Sequence, residues 1–203
     1  MPELELSTEK MILEAAKKVF LDKGFDGARM QEIADEAGIN KALLHYYFRS
    51  KDNLFDAIFE DAFMQFLPNI GQVLMSDMPF PDKIRAFVGH YIDMLLNNPH
   101  LPIFIMRELQ RAPEKIIALL KKSGIHPDMT VATLNREASA GKIVPIAMSH
   151  LIVNMIGLCV FPFIGRPIIE GFIFNNDTEA YNKFLLERKT VVADFIINAI
   201  QVK

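Results

Sequence analysis

The chain has 203 residues, room for one well-filled core or two linked ones, and 51% of them are hydrophobic. A formal net charge of −3 excludes a polycation held to nucleic acid by bulk charge. One cysteine, Cys159, leaves no intrachain disulfide or cysteine metal cluster, and the acidic, polar N-terminus reads against a secretory signal. The first element is a helix starting near Ser7 or Thr8, with Ile12, Ala15, Ala16, Val19 and Phe20 on one face. It ends at Gly24, and Phe25 can fold back onto it. Met30, Ile33, Ala34 and Ala37 keep the i, i+3, i+4, i+7 spacing of a second, short helix. Gly38 then stands where a left-handed stop is needed, and Asn40 caps a third helix.

Two short helices joined by a glycine-containing turn make a helix-turn-helix unit. Its second helix presents Lys41, His45, Tyr46 and Tyr47, with Arg49 and Lys51 just after and no acid from Ile39 to Lys51. Leu44 and Phe48, four apart, face the stripe of the first helix, which leaves Lys41, Ala42, His45 and Tyr47 mostly outward. Such side chains reach base edges and phosphates. Residues 1–53 nevertheless hold eight Lys/Arg against ten Asp/Glu, so binding must depend on local charge at Lys41, Arg49 and Lys51.

Residues 6–66 resemble the DNA-binding domain of the tetracycline-repressor (TetR/AcrR-type) family of bacterial transcription regulators, with the helix-turn-helix at about 29–48. The resemblance is carried by Ile12-Leu13-x-Ala15-Ala16-x-x-x-Phe20, Gly24-Phe25, Ile33-Ala34-x-x-Ala37-Gly38, Tyr47-Phe48-x-x-Lys51 and Leu54, which fit without gaps. It implies DNA contacts from Arg29, Asn40, Lys41, Ala42, His45, Tyr46, Tyr47 and Lys51. Among these, Lys41, His45 and Tyr47 go to base edges or the adjoining backbone, and Tyr46 and Lys51 hold phosphates. Two positions depart from the family. Ala28 and Arg29 replace a capping Ser or Thr, which turns Arg29 toward phosphate, and His45 stands where Tyr is usual.

A fourth helix from Lys51 or Asp52 to Phe66 carries a broad apolar stripe and stops before Pro68. Asp82 can cap a helix bearing Ile84, Phe87, Val88, Tyr91, Ile92 and Leu95; shorter helices follow around Pro99–Leu109 and from Pro113. Pro145 opens a long apolar helix to about residue 160, the stretch 161–176 is irregular and aromatic, and a last helix begins at Thr178. The apolar run Ile143–Ile164 barely reaches the about 20 residues of a membrane span and is interrupted by Ser149, His150 and Asn154. We therefore read it as a buried bundle helix, with no membrane contact. The fold class is all-α, a three-helix DNA-binding module followed by a helical domain over 67–203.

In the family such a second domain holds an effector pocket and pairs its last two long helices with those of another subunit. A small apolar or amphipathic effector would then meet Phe63, Phe66, Phe87, Tyr91, Met94, Phe104, Arg107, Asn154, Met155 and Phe161, with Arg107, His90 and Asn154 as polar anchors. The homodimer contact falls to Ile152, Met155, Ile156, Phe184, Val191, Phe195 and Ile196. Taken singly, most of these apolar residues also fit plain core. No phosphate loop, paired-carboxylate motif or metal-ligand spacing occurs, so neither an enzyme nor a cofactor is expected. The expected function is a cytoplasmic, ligand-responsive repressor on a palindromic double-stranded operator. The competing reading is a DNA-bound adaptor whose second domain holds a protein.

Overall fold

The computed structural model describes residues 2–99, 101–123 and 127–202, the side chains of 2–7, 104, 107, 127 and 129 lying outside that description. The chain divides into two compact units, Met1–Phe63 and Met64–Lys203. Among the described residues every named element is helical, and the only pairing of β type is an isolated bridge between Ile143 and Gln201.

In the first unit, α1 (Pro2–Gly27) begins ahead of the expected hydroxyl cap, at a proline that a first helical turn accepts because its missing N–H has no partner there anyway. Its regular part ends at Gly24, whose φ of 68° is a left-handed conformation. Phe25 folds back as expected, stacked 5.8 Å from Phe20 and edge-on to Phe55 at 4.6 Å. The helices α2 (Met30–Glu36) and α3 (Lys41–Tyr47) follow. Ile12, Ala16, Phe20, Ile33, Ala34, Leu44, Phe48, Leu54 and Ile58 are buried and form the core that fixes α3.

The next helix, α4 (Lys51–Met75), does not stop before Pro68 but runs through it. A proline inside a helix costs about 3 kcal/mol. Leu67 just before it and Ile70 and Val73 beyond it continue the buried stripe. Each such side chain stabilises by about 1.5–3 kcal/mol when buried, so together they outweigh the lost hydrogen bond.

The second unit packs α5 (Phe80–Asn97) along α11 (Thr178–Ile200), with ion pairs from Arg85 to Asp194 and from Lys189 to Asp93 across them. Pro79 rather than Asp82 is the N-terminal flank of α5, since Pro81 already suits its first turn, where Asp82 also lies. Then come α6 (Leu101–Arg111), α7 (Pro113–Lys122), α8 (Pro127–Ser139) and α9 (Met148–Ile164). Pro145 does not open α9. The Val144 N–H donates to the Ile200 carbonyl at 2.8 Å, which holds this stretch extended beside the end of α11, and an extended residue before proline is what proline favours. The aromatic stretch after α9 is more ordered than its sequence suggests. After a break at Gly165, α10 (Arg166–Ile168) and a π-helical turn (Ile169–Ile173) lead to α11, whose first turn is capped by Asp177 Oδ1 accepting from Ala180 N at 2.9 Å. Among the described residues no single helix is long and apolar enough to cross a membrane.

Candidate nucleic-acid interface

The turn between α2 and α3 is built by a glycine. Gly38 has φ 66°, its N–H donates to Asp35 O (3.1 Å), and the Ile39 N–H reaches back to Ala34 O (3.0 Å). This reciprocal pair satisfies carbonyls that a helix end leaves open. Asn40 then caps α3, its Oδ1 accepting from Leu43 N at 2.8 Å. The same carboxamide keeps its NH2 group for another acceptor. At the start of α2 the family's hydroxyl cap is absent, but Glu32 reaches back to accept from Arg29 N at 3.0 Å. The Lys23 ammonium, 2.9 Å away, and that backbone N–H hold the Glu32 carboxyl below the usual carboxylate range. The Arg29 guanidinium stays exposed.

Leu44 is buried at the base of α3, and Lys41, Ala42, His45 and Tyr46 are exposed on the other side. Tyr46 is 74% exposed and meets Tyr47 edge to face at 5.4 Å. His45 Nδ1 lies 3.2 Å from the Arg49 carbonyl. A carbonyl can only accept, so this contact is a hydrogen bond when Nδ1 carries the proton.

Apart from Lys10, exposed near the start of α1, and Lys51, the cations of this unit fall into two sets. Lys17 pairs with Glu14 and Asp61, Lys18 with Glu36, and Lys23 with Glu32. Lys41 and Arg49 are exposed and make no ion pair among the described residues, and Arg29 is exposed, its charge acting on Glu32 only without direct contact of the two charged groups. The negative sum of the module therefore hides a local surplus of positive charge around α3. Lys51, expected at a phosphate, is held here by carbonyls of its own unit. Its Nζ donates to Phe25 O (2.6 Å), Ala28 O (2.9 Å) and Asp26 O (3.4 Å), and it sits 4.4 Å from the Phe25 ring centroid. An ammonium has three donors, and here all three meet carbonyls.

The expected effector residues do not converge on one cavity. Phe66, Phe87 and Tyr91 form an aromatic cluster, with Phe66 to Tyr91 at 5.4 Å and Phe87 stacked on Tyr91 at 5.8 Å. Burial pushes the Tyr91 hydroxyl well above its ordinary range. Phe63 belongs to the first unit and packs on Phe59 at 4.4 Å, and Met94 and Met155 are buried. The side chains of Phe104 and Arg107 lie outside the described residues, and His90 is exposed rather than set in apolar surroundings. Asn154 and Phe161 face outward from α9 and line two different grooves along its seam with α11. One groove, about 210 Å³, runs from Ile146 and Asn154 to Phe195; the other, about 530 Å³, lies between Phe161, Ile169, Phe184 and Arg188.

The expected dimer residues also divide. Val191 and Phe195 are 54% and 64% exposed, Ile156 is exposed, and Ile152 and Phe184 are half-buried. Met155 and Ile196 instead point into their own unit and are buried. Val153 and Phe161, 67% and 62% exposed, complete the outward stripe of α9. Sequence reading missed Val153 because α9 is apolar on both sides, so periodicity cannot orient it. The thiol of Cys159 is buried, which pushes it up to about 12 and leaves it protonated near neutrality.

Residues 12–58 match the family model for "Bacterial regulatory proteins, tetR family". The HTH-type transcriptional activator FasR of Mycolicibacterium smegmatis is 33% identical over 84 residues, 41% of this chain and 38% of FasR. The HTH-type transcriptional regulator RutR of Escherichia coli is 29% identical over 145 residues, 71% of this chain and 68% of RutR. The crystal structure of the transcriptional regulator FadR from Bacillus subtilis, in complex with stearoyl-CoA, superposes with a TM-score of 0.68 at 16% identity over 93% of this chain and 97% of that one. The glycine turn, the capped α3 and the buried face beneath it all lie within residues 12–58, the part of the chain that matches the tetR-family model.

Proposed function

We propose that the chain is a sequence-specific DNA-binding transcriptional regulator whose recognition helix is α3. The observation that carries this reading is the exposed trio Arg29, Lys41 and Arg49 around Tyr46 and His45, in a module whose lysines 17, 18 and 23 are ion-paired. Phosphates are met by Arg29, Arg49 and Tyr46, and base edges by Asn40, Lys41, His45 and Tyr47, with Ala42 close enough to touch a thymine methyl. The test uses a duplex enriched by the chain from a random-sequence pool. Lys41→Ala should weaken binding and change sequence preference, and Arg49→Ala should weaken all duplexes alike and reduce the salt slope by about 1. Unchanged binding by the double variant would refute the surface.

The acting form is a homodimer on a palindrome with half-sites about 34–36 Å apart or a multiple of it. Support comes from the outward apolar stripes of α9 (Val153, Ile156, Phe161) and α11 (Val191, Phe195), which a second copy covers in a four-helix contact. A small apolar or amphipathic effector acts through α4, which leads from Lys51 to the Phe66–Phe87–Tyr91 cluster. FadR, which shares the fold, is bound to an amphipathic acyl-CoA, and that agrees with this ligand class. The DNA-bound form represses, and the effector releases it if it binds the DNA-free form more tightly, with coupling of about 1–3 kcal/mol. Calorimetry with and without the enriched duplex tests it, since the duplex must weaken effector binding by the factor by which the effector weakens DNA binding. The regulator works in the bacterial cytoplasm.

The second reading is an adaptor, and a specific observation favours it. Ile168, Phe172 and Ile173 project from α10 and the π-helical turn, with Phe172 84% exposed. If mutating Phe172 abolished regulation while leaving effector and DNA binding intact, the adaptor would be preferred.

A further inference from the structure

The ammonium of Lys51 meets three carbonyls of the Phe25–Ala28 stretch, just past the Gly24 kink where the regular part of α1 ends. Four residues further along α4, Phe55 packs edge-on against the Phe25 ring that also faces the Lys51 ammonium. The first turn of α4 therefore grips the Phe25–Ala28 turn at two points. Chain order gives this contact its meaning. Ala28 is the last residue before the N-terminal flank of α2, and Lys51 is the first residue after the segment 29–50 that holds α2, the glycine turn and α3. A lysine joining residue 51 to the carbonyl of residue 28 at 2.9 Å closes the whole helix-turn-helix at its base. At the other side of that closure Ser50 Oγ accepts from Asn53 N at 3.1 Å, so the chain enters α4 in a fixed direction.

We infer that Lys51 is a positioning residue, a staple that sets the angle of α3 to the rest of the module, and not a phosphate ligand. The inference rests on the reading of α3 as the DNA-recognition helix. In this role the residue adds no cation to the interface. It determines instead whether Arg29 at one end of the segment and Arg49 at the other reach phosphates of one half-site together. Any tilt of the first turn of α4 pulls on Ala28 through the same ammonium, which makes Lys51 the point where movement of α4 is passed to the start of α2.

Two substitutions separate the staple from a phosphate contact. Lys51→Met keeps the stem over Phe25 and removes all three donors. Lys51→Arg keeps the charge, and its planar fork binds phosphate at least as well as an ammonium but cannot aim at three carbonyls around one nitrogen. Binding is followed by fluorescence anisotropy over a range of salt, with a duplex that the unaltered chain has enriched from a random pool and with a random-sequence duplex of the same length. The staple predicts that both variants bind the enriched duplex about tenfold more weakly, the order of one hydrogen bond to a charged group. It also predicts an unchanged salt slope and unchanged affinity for the random duplex, so that only the specificity ratio falls. A merely structural loss would lower both affinities together.

The staple is overturned if Lys51→Arg binds like the parent, or if Lys51→Met flattens the slope by about 0.9 per protomer, the signature of one lost phosphate contact. Should Lys51→Met not fold, the Arg variant alone decides. If the unaltered chain enriches no sequence at all, the DNA-binding reading itself falls.

Discussion

Gly38→Ala isolates backbone strain from every other effect. With φ at +66°, an alanine at this position must adopt the left-handed region, at a cost of about 1–2 kcal/mol for an L-residue. A Cβ built there meets nothing within 4 Å, so no clash adds to the strain. The two hydrogen bonds of the turn, Gly38 N to Asp35 O and Ile39 N to Ala34 O, are backbone bonds that alanine can keep. The expected loss is therefore the strain alone, about 1–2 kcal/mol, and Gly38→Asn should lose less because asparagine tolerates this region. Urea unfolding followed by far-UV circular dichroism measures it, provided the slope with denaturant is unchanged. A loss above about 4 kcal/mol would mean that a hidden clash governs the turn. A loss near zero would mean that residue 38 is not held at positive φ, and the reasoning on the turn would fail.

Phe195→Asp places a charge on the outward stripe of α11 without disturbing the core beneath it, and sedimentation at micromolar concentration should then show a monomer for the variant and a dimer for the parent; a dimer in both would refute the α9/α11 contact. Cys159 should resist thiol reagents until the chain unfolds, and rapid labelling of the native protein would contradict its burial. Its thiol is raised from 9.0 to about 12, so the unfolded chain loses the proton first. The stability this group contributes is complete below about pH 9 and is lost as the pH rises toward 12, which thermal melts across that window would record.

The DNA-binding module was legible because its local signals agree with its packing. Gly24 and Gly38 stand at positive φ, Asn40 caps α3, and the Ile12, Ala16 and Phe20 stripe is buried. The carbonyl contacts of Lys51 were not legible, for a physical reason. A lysine beside a recognition helix is positive in any sequence, but which carbonyls lie within reach of its flexible stem depends on a turn 23 residues earlier. In the second domain the helices were legible and their faces were not. α9 is apolar on nearly every side, so Met155 and Phe161 look alike in sequence although one is buried and the other exposed. The end of α4 was misplaced because local propensity stops a helix at Pro68, whereas the buried residues beyond it carry the helix onward.

That proline has a mechanical consequence. A straight helix resists flexing because its hydrogen bonds on the convex side must lengthen. Pro68 has no N–H to offer the carbonyl of Met64, so one bond of that ladder is missing by chemistry before any force is applied. α4 is accordingly softest over the turn from Met64 to Pro68, and the stretch from Lys51 to Phe63 acts as a stiff lever beyond it. Thermal flexing of this lever should gather at one turn rather than spread along the helix, and replacing Pro68 with alanine would turn a jointed rod into a uniform one.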